Sequence, residues 1–175
     1  MRAEFYEEIS GIFRLKIPFE SLYTSVFLIK SPTGLVLVDC ATTDYDVNEY
    51  IIPALLRLGY GIADISYLVL THSHGDHAGG LSRISELAPG IKIVTSVCRL
   101  FEGIYTYSLA GHTKNCIGVI DERTNTLISG DGIQGAGVGQ YRCYTEDPEA
   151  YIETLTKIKK DKRIQNILFS HEYEP

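Results

Sequence analysis

The sequence lacks the excess of basic residues that a nucleic-acid-binding protein usually carries. Its 175 residues include 16 Lys and Arg against 22 Asp and Glu, which gives a net charge of −6 at pH 7. Such a chain offers no overall basic footprint for a phosphate backbone. The composition therefore argues against nucleic acid as a partner.

Two kinds of hydrophobic segment are also missing. No apolar run approaches the roughly 20 residues that a membrane-spanning helix needs, so no membrane partner is expected. The first ten residues, MRAEFYEEIS, are acidic and lack the basic and apolar regions of a signal peptide. We therefore expect a cytoplasmic protein, and its oligomeric state is not predicted by the sequence.

The four cysteines form no Cys-x-x-Cys pair, because they lie far apart at Cys40, Cys98, Cys116 and Cys143. This spacing favours reduced, mostly buried thiols in a cytosolic protein over disulfides or a thiolate metal site. Nothing in the pattern marks Cys143 as a nucleophile.

No repeat or linker divides the chain, and its length suits one domain with a single core, here 1–175. Short β-branched and aromatic segments predict strands at Gly11–Ile17, Tyr23–Lys30, Leu35–Asp39, Ile65–Thr71, Ile91–Ser96, Gly103–Leu109, Ile117–Asp121, Thr126–Ser129 and Ile164–Ser170. Helical periodicity predicts helices at Val47–Leu58, Gly75–Leu87 and Pro148–Lys160, the last with Tyr151, Leu155 and Ile158 inward. The order of these elements predicts an α/β fold.

All five histidines and two aspartates follow the ends of predicted strands. They are His72, His74, Asp76 and His77 in the string THSHGDH, and then His112, Asp131 and His171. Imidazole and carboxylate groups are good ligands for Zn²⁺, and they also suit Fe and Mn. Burying so many ionisable groups without a metal would be costly. The set predicts a centre for two divalent ions, zinc being the first choice.

The spacing within THSHGDH predicts two neighbouring metal positions. His72 and His74 lie two residues apart, so on extended backbone both rings face the same side. Asp76 and His77 follow where the chain turns into a helix, and they can address a second position. Asp131 follows a glycine and can approach closely enough to bridge both ions. Such a pair of ions, ~3.5–4 Å apart, can hold a bridging water and lower its pKa to ~7.

The string HSHGDH after an apolar strand resembles the signature of the metallo-β-lactamase superfamily, whose fold is an αββα sandwich. Four further motifs agree in order along the chain: LVLVD at 35–39, GHT at 111–113, SGD at 129–131 and FSH at 169–171. The resemblance implies that His72, His74 and His112 bind one metal, that Asp76, His77 and His171 bind the other, and that Asp131 bridges them. It also implies that Asp39 orients ligands through hydrogen bonds; the alternative for Asp39 is a turn cap at the end of a strand.

Three departures from the family pattern stand out. Ser170 replaces the usual glycine before the closing histidine, and the interval from His77 to His112 is short, which suggests that a helix or strand is absent between Val97 and Phe101. The sequence also stops four residues after His171, where the family has a terminal helix. Either this is a compact member or the sequence lacks segments of the parent protein, in that interval or after Pro175.

The superfamily hosts many reactions, so the fold alone does not name the substrate. One lactamase subgroup has cysteine at the place of Asp131, and flavodiiron proteins have glutamate at the place of His74. Nucleases of the RNase Z and RNase J type share the ligand set but normally add an RNA-binding arm or a further domain. The remaining resemblance is to glyoxalase II-like hydrolases.

That resemblance implies a metal-bridging hydroxide that attacks the thioester or ester carbonyl of a small-molecule substrate. The metals would stabilise the oxyanion, and Asp76 would be the catalytic residue that helps to orient the nucleophile. Tyr141, Arg142 and Tyr144 could contact the substrate, or they could lie on a solvated loop. Phe19, Leu22 and Tyr23 could form a lid, or they could belong to the core. Two other functions stay open: a phosphodiesterase or nuclease-type hydrolase, and a non-catalytic metal-binding sensor.

Overall fold

The computed structural model describes residues 3–20, 22–134 and 144–171. The chain divides into two compact units, Met1–Val94 and Thr95–Pro175, and each has its own sheet and its own core. The assignment of 1–175 to a single domain stays a prediction.

The first unit is built on a six-stranded sheet whose strands lie in chain order. They are β1 (Tyr6–Ile9), β2 (Ile12–Phe19), β3 (Leu22–Ser31), β4 (Gly34–Val38), β5 (Ile65–Val69) and β6 (Lys92–Val94). Pairing is antiparallel from β1 to β4, whereas β5 joins β4 and β6 joins β5 in parallel. The parallel pairing brings the carboxyl ends of β4 and β5 to one edge, where Asp39 and Thr71 follow.

Most of these strands agree with the sequence prediction to within a few residues. Strand β1 is missing from the prediction because its residues are mostly polar and exposed, as suits an edge strand. One face of the sheet packs against helices. The buried apolar core includes Leu15, Leu28, Leu37 and Leu68 from the strands, and Ile51, Leu55 and Ile84 from the helical segments.

The predicted helix at Val47–Leu58 begins earlier, at Asp44, and contains a wide turn. Helix α1 (Asp44–Asp46) passes through a π-helical turn (Val47–Ile51) into α2 (Ile52–Arg57). Thr43 caps its start, accepting from the backbone of Asp46 while the Asp46 carboxylate accepts from the backbone of Thr43. The π turn ends two residues before Pro53, whose missing N–H cannot donate to a regular helical bond.

The predicted helix at Gly75–Leu87 is broken into α3 (Gly75–Ala78) and α4 (Leu81–Leu87). The break lies at two glycines that touch the backbone of the preceding loop. A Cβ atom at Gly79 would lie 1.8 Å from the carbonyl oxygen of Thr42, and one at Gly80 would lie 2.3 Å from that of Cys40. This close approach fixes α3, which carries two of the predicted ligands, against the end of β4.

The second unit is built on a five-stranded sheet in the order β11-β10-β9-β8-β7. Its strands are β7 (Arg99–Phe101), β8 (Ile104–Ser108), β9 (Ile117–Asp121), β10 (Thr126–Ile128) and β11 (Asn166–Leu168). Only β10 and β11 pair in parallel; the other neighbours are antiparallel. Strands β8, β10 and β11 therefore run in one direction, and their carboxyl ends share an edge. The interval from Val97 to Phe101 is not empty, since it contains β7.

Helix α5 (Pro148–Lys160) has the predicted bounds, but its buried face was predicted wrongly at one position. Leu155 is 39% exposed, whereas Thr154 is buried together with Ile158. The Thr154 hydroxyl donates to the carbonyl of Ala110 at 2.7 Å, so this polar group is buried with its hydrogen bond satisfied. The helix thereby packs on the segment just before the predicted ligand His112.

The cysteines of the described residues are free thiols, with Cys40 and Cys116 buried and Cys98 exposed. Cys143 lies outside the described residues. Among the helices that the structure describes, none is both long and apolar enough to cross a bilayer. The cytoplasmic location stays a prediction.

Candidate metal centre

The structure distributes the seven predicted ligands over the two units, each set at the carboxyl edge of its sheet. The first unit holds the set on the loop after β5 and on α3, namely His72, His74, Asp76 and His77. The second unit holds the set that follows β8, β10 and β11, namely His112, Asp131 and His171.

In the first set, His72 and His74 direct ring nitrogens at one another. Nε2 of His72 lies 2.9 Å from Nδ1 of His74. The hydroxyl of Thr71 donates to Asp39 at 2.9 Å, so its oxygen is available to accept from Nδ1 of His72 at 3.1 Å. With its proton on Nδ1, His72 presents a lone pair from Nε2 towards His74. Two imidazole nitrogens that converge in this way suit a single divalent ion.

A second pair of ligand atoms lies on α3. His77 is fully buried, and its Nδ1 donates to Oδ2 of Asp39 at 2.7 Å. Its Nε2 is therefore the nitrogen with a lone pair, and it lies 3.3 Å from Oδ2 of Asp76. An imidazole lone pair and a carboxylate oxygen face each other here, and both are electron-rich. A cation between them would relieve the repulsion.

Asp39 connects these two pairs. Its carboxylate is 1% exposed, accepts from the backbone N–H of Thr71 at 2.8 Å and from its hydroxyl at 2.9 Å, and also accepts from His77. The residue has a left-handed backbone with φ of 62°, a conformation that asparagine and aspartate tolerate better than most residues. Asp39 thus bonds directly to His77 and, through the Thr71 hydroxyl, to His72, and both histidines are predicted ligands.

Two residues that anchor α3 were missed in the sequence. Thr24 on β3 is fully buried, and its hydroxyl donates to the carbonyl of Asp76 at 3.1 Å. The backbone N–H and the thiol of Cys40 both donate to the carbonyl of His77, at 2.8 and 3.2 Å. The available signal was a polar Thr24-Ser25 pair inside an otherwise apolar strand.

The thiol of Cys40 is a structural donor and not a nucleophile. Burial raises the pKa of Cys40 to about 12, and the nearby charge of Asp39 adds to the effect. A thiol with such a pKa stays protonated at neutral pH, whereas the thiolate is the reactive form.

In the second set, Asp131 lies between two histidines. Its Oδ2 is 3.6 Å from Nε2 of His112, and its Oδ1 is 3.4 Å from Nε2 of His171. Gly130, with φ of 52°, makes the tight turn that carries Asp131 to this place. Each carboxylate oxygen therefore faces a different imidazole.

Two groups that were not predicted from the sequence lie beside Nδ1 of His112, the ring nitrogen that does not face Asp131. Nδ1 of His112 lies 2.8 Å from the backbone carbonyl of Tyr144 and 3.0 Å from the side-chain Nε2 of Gln134. A carbonyl oxygen only accepts, so a bond to Tyr144 places the proton on Nδ1 and leaves a lone pair on Nε2. That lone pair faces the carboxylate of Asp131, which again calls for a cation between them. The donor sets of both units therefore fit divalent metal ions.

The structure also bears on the predicted substrate contacts. Tyr141 and Arg142 lie outside the described residues. Tyr144 is 59% exposed, and its ring centre is 6.0 Å from that of His112. Tyr23 is buried, which favours the core over the lid for this residue.

Comparison with known proteins shows which family this chain is similar to. Residues 21–96 match the model of the metallo-β-lactamase superfamily. A β-lactamase-like protein 2 homolog of Caenorhabditis elegans is 29% identical over 164 residues, which cover 81% of this chain and 54% of the relative. A hydroxyacylglutathione hydrolase of Vibrio campbellii is 28% identical over 138 residues, 69% of this chain and 53% of the relative. The chain thus spans about half the length of the curated relatives it matches.

Solved structures show the same fold. The metallo-β-lactamase FIM-1 from Pseudomonas aeruginosa, in its mono-zinc form, has a TM-score of 0.76 at 16% identity, with 99% of this chain and 89% of that chain covered. An N-acyl homoserine lactone hydrolase has a TM-score of 0.67 at 18% identity, with 98% and 94% covered. The chain is similar to members of the metallo-β-lactamase superfamily, and the predicted α/β fold class, the αββα sandwich of that superfamily, is confirmed.

Proposed function

We propose that this protein is a metal-dependent hydrolase with a dinuclear centre. The observation that carries the proposal is the placement of Asp131, whose two oxygens face two different histidines. With a different imidazole beside each oxygen, this carboxylate can contribute to two neighbouring ions. The first unit supports a dinuclear centre as well, because it contains two separate pairs of candidate ligand atoms. These pairs are His72 with His74 and Asp76 with His77.

The proposed ligand sets combine these observations with the family pattern. One ion would be held by His72, His74 and His112, and the other by Asp76, His77 and His171. Asp131 would bridge the two. We propose zinc as the metal, with iron and manganese as alternatives, because nitrogen and oxygen ligands serve all three.

The proposed substrate is a small molecule with a thioester or ester bond. Support comes from the similarity to the Vibrio campbellii protein, whose name states that it hydrolyses hydroxyacylglutathione. The alignment with that protein covers 69% of this chain and 53% of the relative.

The residues of this chain have distinct roles in the proposed reaction. Bound divalent ions would supply an activated water as nucleophile and would polarise the carbonyl group of the substrate. Asp39 holds His77, and through Thr71 it holds His72, so that their ligand nitrogens keep a fixed direction. The Asp76 side chain is 14% exposed, and its carboxylate is the group proposed to orient the attacking water.

The test combines metal analysis with turnover. The protein is purified without added metal, its zinc, iron and manganese contents are measured, and it is assayed with a thioester, an aryl ester, a phosphodiester and a β-lactam. About two metals per chain with turnover of the thioester or the aryl ester is the expected result. Turnover of the phosphodiester alone would contradict the proposed bond class. Failure to bind metal after reconstitution would contradict the metal centre itself.

A further inference from the structure

The side chain of Gln134 lies beside the face of His112 that is turned away from Asp131. Its Nε2 is 3.0 Å from Nδ1 of His112 and 3.5 Å from the carbonyl oxygen of Tyr144. The same carbonyl is 2.8 Å from Nδ1 of His112. Two hydrogen-bonding groups therefore share one ring nitrogen, and His112 itself is only 3% exposed.

These two groups differ in what they can do at Nδ1. The carbonyl of Tyr144 can only accept, so it favours the tautomer with hydrogen on Nδ1 and a lone pair on Nε2. The carboxamide of Gln134 can donate to a bare Nδ1 or, after a half-turn, accept from Nδ1–H. The balance at Nδ1 thus decides whether Nε2 faces Asp131 with a lone pair or with a hydrogen, and only the lone pair can bind a metal.

We propose that Gln134 is a positioning residue whose carboxamide oxygen, turned towards the ring, accepts from Nδ1–H of His112. This bond holds the ring and favours the tautomer that keeps a lone pair on Nε2. This inference rests on the proposed function in one respect, since it treats His112 as a metal ligand.

The backbone of Gln134 is held in place for this role. Its N–H donates to the hydroxyl of Tyr151 on α5 at 3.2 Å. Tyr151 in turn packs against Gly111, where an added Cβ would lie 2.5 Å from the Tyr151 Cα. Gly111 has φ of 136° and directly precedes His112. The tyrosine therefore ties the positioning residue and the ligand to the same helix.

Three variants test the inference. Gln134→Leu keeps a side chain of similar size and removes both hydrogen-bonding modes. Gln134→Glu keeps the shape as a carboxylate that only accepts, which favours hydrogen on Nδ1. Gln165→Leu is the matched control, because Gln165 is exposed in the same unit and its backbone N–H bonds to Asn125. Each variant is first checked for folding by circular dichroism and urea unfolding.

The first measurement is the histidine tautomer in the metal-free protein, read from the ¹⁵N and ¹H correlations of the His112 ring. We expect Gln134→Glu to shift the ring towards the Nδ1–H tautomer, and Gln165→Leu to leave it unchanged. The second measurement is zinc affinity by competition with a chelator. We expect zinc binding to be roughly tenfold weaker in Gln134→Leu and to recover in Gln134→Glu. Tenfold is the low end of the loss expected when a hydrogen-bond partner of a metal ligand is removed, because Tyr144 still holds the ring.

An identical His112 tautomer in the unchanged protein, Gln134→Leu and Gln134→Glu would overturn the inference. Unchanged zinc affinity in Gln134→Leu would also overturn it. Equally weak zinc binding in Gln134→Glu and Gln134→Leu would overturn it too, because such a result points to packing alone. If the unchanged protein binds no metal, the proposed function fails, and the tautomer comparison still decides the role of Gln134 by itself.

Discussion

Oδ2 of Asp39 lies 2.7 Å from Nδ1 of His77 and also accepts the hydroxyl of Thr71. The oxygen of that hydroxyl faces Nδ1 of His72 at 3.1 Å. A single buried carboxylate thus fixes two proposed metal ligands, one directly and one through Thr71. Because each ligand belongs to a different proposed metal position, a change at Asp39 should affect both ions.

We expect Asp39→Asn to weaken the binding of both metals by about 10–100-fold. The amide NH₂ group must replace one carboxylate oxygen. In either orientation it then opposes a donor, either the backbone N–H of Thr71 or the pair of donors at Oδ2. Chelator competition followed for both ions gives the affinities. Asp44→Asn, the same change at an exposed site, is the control and should bind metal normally. Loss of only one ion in Asp39→Asn would argue against the shared role.

Removing the bridge should change the stoichiometry of the centre. In Asp131→Asn the side chain keeps its size but offers only one oxygen ligand, so we expect metal content to fall from about two to about one per chain and hydrolysis to fall sharply. His72→Ala and Asp131→Ala should abolish both full loading and hydrolysis. Metal analysis after dialysis, together with the activity assay, gives both quantities. Two metals and full turnover in any of these variants would make the ligand assignment wrong.

A third expectation concerns acid stability, away from the metal centre. Hydrogen bonds from Arg163 lower the pKa of Asp161 to about 2. A lowered pKa stabilises the folded state above the unfolded value of about 3.9, and this stabilisation is lost as the pH falls through about 2. Asp161 also accepts from Tyr107 at 3.1 Å, so the pair joins the end of α5 to β8.

Arg163→Gln should therefore be less stable than the unchanged protein at pH 7, and the difference should shrink between about pH 4 and pH 2. Urea unfolding at several pH values measures it. Arg163 is half exposed, so the effect at neutral pH is expected to be modest. Lys162→Gln removes an exposed neighbouring charge and serves as control. A difference that stays constant down to pH 2 would rule out this ion pair as its cause.

The sequence was sufficient for the ligand candidates and for most elements, because both depend on local patterns. The histidine string, its apolar strand and the turn at Gly130-Asp131 are each visible within a few residues. Partners brought together by the fold were not visible: Gln134 and the carbonyl of Tyr144 meet at His112 from separate segments. The inward face of α5 was wrong at Leu155 for the same reason, since the buried Thr154 depends on a distant carbonyl.

The break between α3 and α4 is a further feature that periodicity did not predict. Its dependence on glycine can be tested by a substitution that adds a single methyl group. In Gly79→Ala the new Cβ would lie 1.8 Å from the carbonyl oxygen of Thr42 and 2.4 Å from its carbon. Backbone atoms cannot rotate away as a side chain can, so we expect α3 to shift and stability to fall by about 1–3 kcal/mol.

Gly90→Ala is the matched control for this change. Gly90 lies just before β6, and an added Cβ there meets nothing within 4 Å. Chemical unfolding should show a loss only for Gly79→Ala. Because α3 carries Asp76 and His77, zinc affinity should also weaken in Gly79→Ala even where the protein remains folded. Equal stability of the two variants would mean that the loop at Thr42 yields easily, and that the glycine is not what holds these two ligands in place.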